Sequence, residues 1–476
     1  MHRSLGKLAH VAAAGAMVLG IGAFNGLNVG PQAADAREAN AIAGTYKSAI
    51  VLANPGNVDT TALVTFVTST GGAATSSPVS ALVPAGGSTI VDVPNVAGLA
   101  DGRYSVLIDS DQPITAVANV GSDDTKQFTS YNGITTAETG TTFYIPQAFK
   151  SYFGYTSNII VQNAGSSTAS VTVTYKDANG NTSGVDTQSI PAGASYTFDQ
   201  STSSGLQSLA SFNGSAVVTS TQNVAALFLV SLDSAQYGKQ LSSGRGAKSG
   251  ATSVYLPGIY NNYYGNSSSV LVQNVGSTAT TATITYYNAN GTQAGQPEQA
   301  VIQPGTRATF LQFNTPSSTA AVPAGFNGSA VVTASSGGLI TAAGNIQHLV
   351  KGRFESYNGF PGGSATNRVT CPSIFDNYYL NDTSMAIQNV GSAAADVTIA
   401  FNGTVGNTAT SKTVTATIQP NSIYFAYTGA GFLGAGFHGS AVVTSATAGA
   451  QLVGVVNQET IPNPGDVLLT YDCVNS

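Results

Sequence analysis

Apolar and hydroxyl-bearing side chains alternate along short stretches of the chain. In the clearest stretch, Val171, Val173 and Tyr175 are separated by Thr172 and Thr174. Successive side chains of a β-strand point to opposite faces of the sheet, so this order directs the apolar residues to a core and the threonines to solvent. The pattern predicts a half-buried antiparallel strand.

Sequences that favour tight turns follow these stretches. Asp-Ala-Asn-Gly occupies 177–180, and Asn-Ala-Asn-Gly occupies 288–291. Asn, Asp and Gly accept the positive φ angles that two-residue hairpin loops require. Both segments are therefore predicted to close β-hairpins.

The same short motifs occur four times in the same order. Gln-Asn-x-Gly has its Asn at 163, 274 and 389, and Asn54-Pro-Gly stands at the matching place in the first copy. Phe-x-Gly-Ser-Ala-Val-Val begins at Phe212, Phe326 and Phe437, with a weaker Asp-Gly-Arg-Tyr-Ser-Val at 101–106. A repeat of about 110 residues is the sequence signature of tandem structural units.

The repeat predicts the domain organisation. We expect four units at 40–138, 141–248, 251–364 and 367–476, named here repeat 1 to repeat 4, with Gly-, Ser- and Thr-rich linkers at 133–142, 241–253 and 359–369. A unit of this length can hold its own core, so the units are expected to touch mainly at their ends.

Roughly seven short strands with turn signals every 8–12 residues fit an immunoglobulin-like sandwich. The strand entering Val-Gln-Asn-x-Gly, followed by Val-Thr-Val-Thr-Tyr, resembles the tandem immunoglobulin-like repeats of secreted bacterial surface proteins. The resemblance runs from about residue 44 to the C-terminus and implies extracellular display. The predicted fold class is all-β, with four tandem immunoglobulin-like antiparallel β-sandwich domains after a signal peptide.

The N-terminal residues have the order of a secretory signal peptide. Arg3 and Lys7 precede an apolar stretch over 8–24, and Ala34-Asp35-Ala36 fits a cleavage site. Residues 1–36 are therefore predicted to be removed, with an uncleaved membrane anchor as the alternative. The mature chain is expected to be secreted, associated with the cell surface and without a membrane span.

Charge is scarce. Asp, Glu, Lys and Arg form 8% of the chain, and 16 basic residues face 22 acidic ones. No basic block supplies the cationic surface that phosphate backbones need, which argues against nucleic-acid binding.

Catalytic groups are also scarce. After the leader the histidines are His348 and His438, and a zinc site would need three or four nitrogen or sulfur ligands. No Ser-His-Asp arrangement recurs, and no Glu occupies a position shared between repeats. We expect no enzyme activity, no catalytic residue, no metal site and no cofactor.

Aromatic residues recur just before the Gln-Asn-x-Gly motif. Flat rings stack on sugars or on one another, so these segments are candidate ligand-binding sites or contacts between domains. The first repeat retains Tyr46 at the position of Tyr155. The candidates are Tyr152, Phe153, Tyr155, Tyr260, Tyr263, Tyr264, Phe375, Tyr378 and Tyr379.

The chain contains two cysteines, Cys371 and Cys473. An even number in an exported protein predicts a disulfide, here within repeat 4. Two free buried thiols and an intermolecular bridge are the alternatives.

These features favour a non-enzymatic cell-surface protein acting as a structural spacer, adhesin or lattice component. The alternative is an array of carbohydrate-binding modules using the aromatic segments, and a secreted hydrolase ranks third. Expected partners are extracellular polysaccharide, other surface proteins or further copies of the chain, because few charges protect the sheet edges.

Overall fold

The chain folds into antiparallel β-sheets. The structure is a computed structural model that describes residues 16–20, 45–75, 77–235, 237–315, 318–335, 337–348, 350–460 and 465–475. Across these residues it contains β-strands and two short 3₁₀ helices, but no α-helix. Within the same residues, no helix is long and apolar enough to span a membrane. The predicted cleavage site at Ala34–Ala36 lies outside the described residues.

Repeat 1 contributes two sheets with the orders β4-β3-β6-β1-β9 and β5-β2-β7-β8. Its 3₁₀ helices are Val93–Asn95 and Thr136–Glu138. Its strands are β1 (Ala16–Gly20), β2 (Lys47–Ala53), β3 (Thr60–Val67), β4 (Val79–Val83), β5 (Ser88–Asp92), β6 (Tyr104–Ser110), β7 (Thr115–Ser122), β8 (Gln127–Asn132) and β9 (Ile134–Thr135).

Repeat 2 has the same pairings, but its two sheets are joined because β15 is 23 residues long and runs through both. One part of β15 pairs with β10 and β12, and the other part pairs with β11 and β16. The strands are β10 (Gly140–Lys150), β11 (Tyr155–Asn163), β12 (Ala169–Lys176), β13 (Thr182–Ile190), β14 (Ser195–Asp199), β15 (Phe212–Ser234) and β16 (Gly238–Arg245).

Repeat 3 forms sheets β20-β19-β22-β17-β25 and β21-β18-β23-β24. Its strands are β17 (Ser253–Asn261), β18 (Ser267–Asn274), β19 (Thr280–Asn288), β20 (Gln293–Ile302), β21 (Arg307–Leu311), β22 (Phe326–Ala334), β23 (Ile340–His348), β24 (Arg353–Asn358) and β25 (Phe360–Pro361).

Repeat 4 forms sheets β29-β28-β31-β26-β34 and β30-β27-β32-β33. Its strands are β26 (Arg368–Asp376), β27 (Asn381–Asn389), β28 (Ala395–Val405), β29 (Thr408–Ile418), β30 (Ile423–Tyr427), β31 (Phe437–Ser445), β32 (Leu452–Thr460), β33 (Leu468–Asp472) and β34 (Val474–Asn475).

The alternating stretch lies in β12, where Val171, Val173 and Tyr175 are buried while Thr172 and Thr174 are partly exposed. The strand is antiparallel to both of its neighbours, β13 and β15. The local pattern therefore predicts this strand and its buried face correctly.

The Asn of the Gln-Asn-x-Gly motif is a structural residue. Asn163 is fully buried, and its Nδ2 donates hydrogen bonds of 2.8 Å to the carbonyl oxygens of Ser167 and Ile190, while its Oδ1 accepts one of 2.9 Å from the backbone N–H of Gly165. Asn54, Asn274 and Asn389 make the same three bonds in the other repeats. Because one buried side chain bonds to three backbone groups around the turn, the motif fixes the turn after each second strand.

Neighbouring repeats are joined by one recurring contact. The serine of the Phe-x-Gly-Ser motif donates to a turn carbonyl of the next repeat, from Ser215 to Gly305 at 2.6 Å and from Ser329 to Asn421 at 2.8 Å. Ser440 of repeat 4 donates in the same way to Gly86 of repeat 1 at 2.8 Å. At the remaining joint, the hydroxyl of Ser105 is buried and has no hydrogen-bond partner among the described residues.

The contact from repeat 4 to repeat 1 closes the four repeats into a ring. An interface that passes head to tail from unit to unit forms a ring when its rotations close. Apolar cores extend across the joints as well, since Leu227, Leu229 and Leu241 pack into the core of repeat 1. The expectation that units touch mainly at their ends is therefore wrong, because strands β15 and β16 pack along their length into the core of repeat 1.

A glycine follows the last long strand of repeats 1 to 3. The backbone N–H of Gly133, Gly246 and Gly359 donates a bond of 2.8 Å to the neighbouring strand in each case. A Cβ at Gly246 would lie 2.8 Å from Cδ1 of Ile145, so a side chain there would collide with the first strand. Segments predicted as linkers thus hold strands β9 and β25, which return to the sheet through this turn.

Cys473 occupies the glycine position in repeat 4, and its N–H makes the same 2.8 Å bond. Cys371 stands opposite Ala441, as Ile145 stands opposite Ala216 and Leu256 opposite Ala330. The two cysteines form a disulfide, which confirms the predicted pairing. Repeat 4 thus has a covalent bond where repeat 2 has Ile145 next to Gly246.

Replacing both cysteines by the residues of repeat 2, as Cys371→Ile with Cys473→Gly, should keep the fold and remove the crosslink. We expect the free energy of unfolding to fall by at most ~4.7 kcal/mol, the chain-entropy value for a loop of ~100 residues. Urea unfolding of the variant, the oxidised protein and the reduced protein measures the difference. Equal stability of the oxidised protein and the variant would contradict this role of the disulfide.

Candidate functional site

The predicted aromatic segments form the tips of three equivalent β-hairpins. Between β10 and β11, the backbone N–H and C=O groups of Tyr152 and Tyr155 exchange two hydrogen bonds of 2.9 Å, which leaves Phe153 and Gly154 as the loop. Tyr264-Gly265 forms the same two-residue loop in repeat 3, and Tyr379-Leu380 forms it in repeat 4.

The first loop residue of each tip is an aromatic residue with a left-handed backbone. The φ angles are 49° at Phe153, 48° at Tyr264 and 48° at Tyr379. Such loops favour Asn, Asp or Gly, and a bulky residue held in this region costs of order 1–3 kcal/mol. The three side chains are nevertheless 83%, 83% and 80% exposed. We name these three residues the tip aromatics.

Each tip aromatic is supported by two further rings. The Tyr152 ring stacks on Phe149 at 6.1 Å between centroids and meets Phe153 edge-on at 4.7 Å. The corresponding distances are 5.9 and 4.8 Å in the series Tyr260, Tyr263, Tyr264, and 5.4 and 4.6 Å in the series Phe375, Tyr378, Tyr379. A partly exposed middle ring therefore connects a buried base to the exposed tip.

Phe149 is the base of the series in repeat 2, although it is not among the residues predicted from the sequence. Tyr155 instead stands at the hairpin position of Asn266 and Asn381. A shared spacing identifies the correct set, because an aromatic residue, two other residues and then two consecutive aromatics occur at 149–153, 260–264 and 375–379.

Inner rings of the hairpins also pack at the joints between repeats. Tyr155 contacts Phe354 of repeat 3 at 5.6 Å, and Tyr263 contacts Phe425 of repeat 4 at 6.4 Å. Tyr378 instead lies 4.4 Å from His438 of its own repeat. Tyr155 and Tyr263 are thus packed at joints between repeats, whereas the tip aromatics are exposed.

Tyr46 of repeat 1 is buried, and its hydroxyl donates a hydrogen bond of 2.9 Å to Oε1 of Gln127. Burial raises the pKa of Tyr46 to about 12. This residue therefore belongs to the interior, and it offers no exposed ring.

An open cleft of about 500 Å³ lies beside the tip of repeat 3. Its lining includes Asn262 and Gly265 of the hairpin, together with Asn314 and Val350. Val350 is 94% exposed, so an apolar residue and two amide side chains are accessible next to Tyr264.

The last long strand of each repeat lies at the centre of the ring. Strands β8, β16, β24 and β33 contact one another there through polar side chains and backbone groups. The bonds include Thr129 Oγ1 to Ser243 Oγ at 2.7 Å, Asn358 Nδ2 to the Arg245 carbonyl at 2.7 Å, and Asn132 Nδ2 to the Asp472 carbonyl at 2.6 Å.

Two fully buried carboxyl groups belong to this centre. Glu355 accepts hydrogen bonds from the Thr129 hydroxyl at 2.7 Å and from the Ser130 N–H at 2.9 Å. Asp466 accepts from the N–H groups of Leu241 at 2.6 Å and Phe354 at 2.9 Å. Each carboxyl therefore connects its own repeat to at least one other.

Burial changes how these groups titrate. Loss of solvent raises the pKa of Glu355 well above its usual range, and the charge of Asp466 adds to the shift. Burial likewise raises the pKa of Asp466, which Arg353 partly opposes. The pKa of Asp472 rises to about 6 for the same reason, although Arg245 lies 3.4 Å away.

Glu355 is not predicted as a site residue from the sequence, because no other repeat has Glu at that position. The sequence feature that points to Glu355 is its position immediately before Ser-Tyr-Asn-Gly at 356–359, a motif that also ends repeat 1. Burial closes both central carboxyl groups to a substrate. Among the described residues, no group of three or more His, Cys, Asp or Glu side chains is arranged to hold a metal ion.

The model of a family of unknown function, DUF5719, matches residues 10–201, which is less than half of the chain. No curated protein matches the chain. A solved structure described as a tetra-tandem repeat in the extending region of a large adhesion protein is 12% identical, covers 91% of this chain and 95% of its own, and has a TM-score of 0.11.

Because the pKa values of Glu355 and Asp466 are raised, we predict that their contribution to the free energy of unfolding falls as pH rises. A carboxyl group with a higher pKa in the folded chain favours folding fully below its unfolded pKa, about 4.3 for Glu, and loses that contribution as pH rises through the folded value. Glu355→Gln removes one such proton, so the slope of unfolding free energy against pH should become shallower by up to about 1.4 kcal/mol per pH unit.

Urea unfolding between pH 4 and pH 8 measures this slope. The matched control is Asp109→Asn, which changes an exposed carboxyl group on β6. Parallel curves for Glu355→Gln and the wild type would contradict the assigned role of Glu355.

Proposed function

We propose that this protein is a non-enzymatic, exported structural component of a cell surface that makes contacts through its tip aromatics. The supporting observation is the triple occurrence of an exposed aromatic residue at positive φ. Backbone strain and apolar exposure both oppose such a residue, and unfavourable local geometry of this kind clusters at functional sites.

The ring of repeats helps to choose between a spacer and a lattice component or adhesin. A spacer needs its two ends far apart, as in a linear row of domains. Here the bond from Ser440 to Gly86 brings repeat 4 next to repeat 1. We therefore favour a lattice component or adhesin over an extended spacer. Each hairpin tip occupies an equivalent place in its repeat, so one ring would offer several contacts to a surface or to neighbouring copies.

We infer that repeats 1 to 4 are immunoglobulin-like domains in the sense of two packed antiparallel sheets. The order of the strands within the sheets differs from that of the immunoglobulin fold, because the first strand of each repeat pairs with the sixth. Export is supported by the leader-like residues 1–36 and by the disulfide, since disulfides persist in oxidising compartments. The resemblance to repeats of secreted bacterial surface proteins agrees with this location.

Carbohydrate binding is the second candidate function. The cleft beside Tyr264 supports it, because the Asn262 and Asn314 side chains offer amide donors and acceptors next to an exposed ring. Aromatic faces stack on sugar rings while amides bond their hydroxyl groups. An extracellular polysaccharide would be the partner.

The triple variant Phe153→Asn, Tyr264→Asn, Tyr379→Asn should lose surface contacts without losing the fold. We expect at least a tenfold weaker self-association or polysaccharide binding. The free energy of unfolding should stay the same or rise by up to about 1 kcal/mol per site, because Asn accepts the left-handed conformation. Analytical ultracentrifugation and binding to a panel of cell-surface polysaccharides measure the two contacts.

Val301→Thr is the control, since Val301 is 69% exposed on β20 away from the tips. Loss of self-association alone would favour the lattice role, and loss of polysaccharide binding alone would favour the carbohydrate-binding role. If neither measurement separates the triple variant from the control, the proposed contact function is wrong.

The proposed export and cleavage of the chain can be tested separately. We expect intact-mass analysis of protein isolated from native cells to place the N-terminus at residue 37, and surface labelling to reach the chain in whole cells. A chain that retains residues 1–36 and stays inside the cell would refute the proposed location.

A further inference from the structure

Strand β1 fills the first-strand position of repeat 1 but comes from far upstream. In repeats 2 to 4 the first strand leads through the tip hairpin directly into the second strand. In repeat 1, the first strand ends at Gly20 and the second begins at Lys47. The position is therefore occupied by a segment of the predicted leader.

The register of β1 is that of a genuine first strand. Val18 stands opposite Val106, as Ile145 stands opposite Ala216 in repeat 2. On its other side, β1 pairs with β9 through Ala16 and Met17, as β17 pairs with β25 and β26 with β34. Ala16 and Val18 hold the register positions of Phe143 and Ile145, which are core residues.

The sequence adjoining repeat 1 is poorly suited to this position. Asn54 matches Asn163, and the same spacing places Ala34, Asp35 and Ala36 at the positions of Phe143, Tyr144 and Ile145. Two alanines would fill core positions that take Phe and Ile in repeat 2. Cleavage after Ala36 would also remove all three residues.

A chain without β1 would have a gap between β6 and β9. Val106 and Ile108 of β6 are core residues of repeat 1, and the backbone of Tyr104–Ile108 pairs with β1. Unpaired backbone groups beside an apolar core are unfavourable, and an added strand satisfies both the hydrogen bonds and the core.

We propose that repeat 1 is an acceptor for an added β-strand, and that after removal of residues 1–36 this gap binds a strand from another surface polypeptide. The strand runs antiparallel to β6 and carries small or branched apolar residues at the alternate positions held here by Ala16 and Val18. This inference rests on the proposed export and cleavage of the chain.

The test uses the full chain with a protease site inserted directly after Ala36, cut after folding. The probe is a fluorescent peptide of residues 12–24 with two added lysines for solubility. We expect the peptide to replace the cut fragment with one-to-one stoichiometry, while the uncut chain does not bind it. Hydrogen exchange should show protection of 104–108 and 134–135 whenever either segment is bound.

Two altered peptides test the register. Val18→Ile introduces the residue of Ile145 and should bind at least as tightly, whereas Val18→Asp places a charge at the register position that Ile145 holds in repeat 2 and should bind at least 100-fold more weakly. If hydrogen-exchange protection of repeat 1 is lost when the cut fragment dissociates, protection that returns with the Val18→Ile peptide but not with the Val18→Asp peptide supports the proposal.

Equal binding of the two altered peptides would overturn the proposal. So would continued protection of 104–108 after the fragment has been removed, because the remaining chain would then close the gap itself. Neither result bears on export, which the N-terminal mass of the native protein decides separately.

Discussion

The hydrogen-bonded centre, where the last long strands of all four repeats meet, is the constraint on which the arrangement depends. Apolar surfaces alone would allow neighbouring repeats to slide over one another, because apolar packing has no directional preference. The bonds from the Thr129 hydroxyl to Glu355 and from the Leu241 N–H to Asp466 have fixed donors and acceptors in different repeats. A buried polar group left without its partner is unfavourable, so the centre favours one relative placement of the repeats.

Much of the fold within a repeat could be predicted because its signals are local. Alternating Val and Thr identifies β12, and recurrence of Asn163 identifies a turn even before its three hydrogen bonds are known. Ring closure could not be predicted in this way. Ser215 and Ser440 belong to a motif that looks complete within its own repeat, yet their hydroxyl groups bond to the next one.

The candidate site was predictable to a similar extent. Recurrence identified the aromatic segments, but sequence does not distinguish Tyr152, which is partly covered by neighbouring rings, from Phe153, which is exposed. That difference arises from the two-residue loop, which turns one ring inward and the next outward. Glu355 escaped detection because its role depends on three-dimensional burial between repeats, and no sister repeat has a carboxyl group at that place.

Closure of repeat 4 onto repeat 1 also bears on how such a chain can evolve. A linear tandem array can gain or lose a unit by duplication or deletion and change only its length. Here each joint turns the chain through the angle that brings the fourth repeat back to the first, so a fifth copy would have no place and a missing one would leave both flanking surfaces bare. The number of repeats is therefore tied to the geometry of the joints.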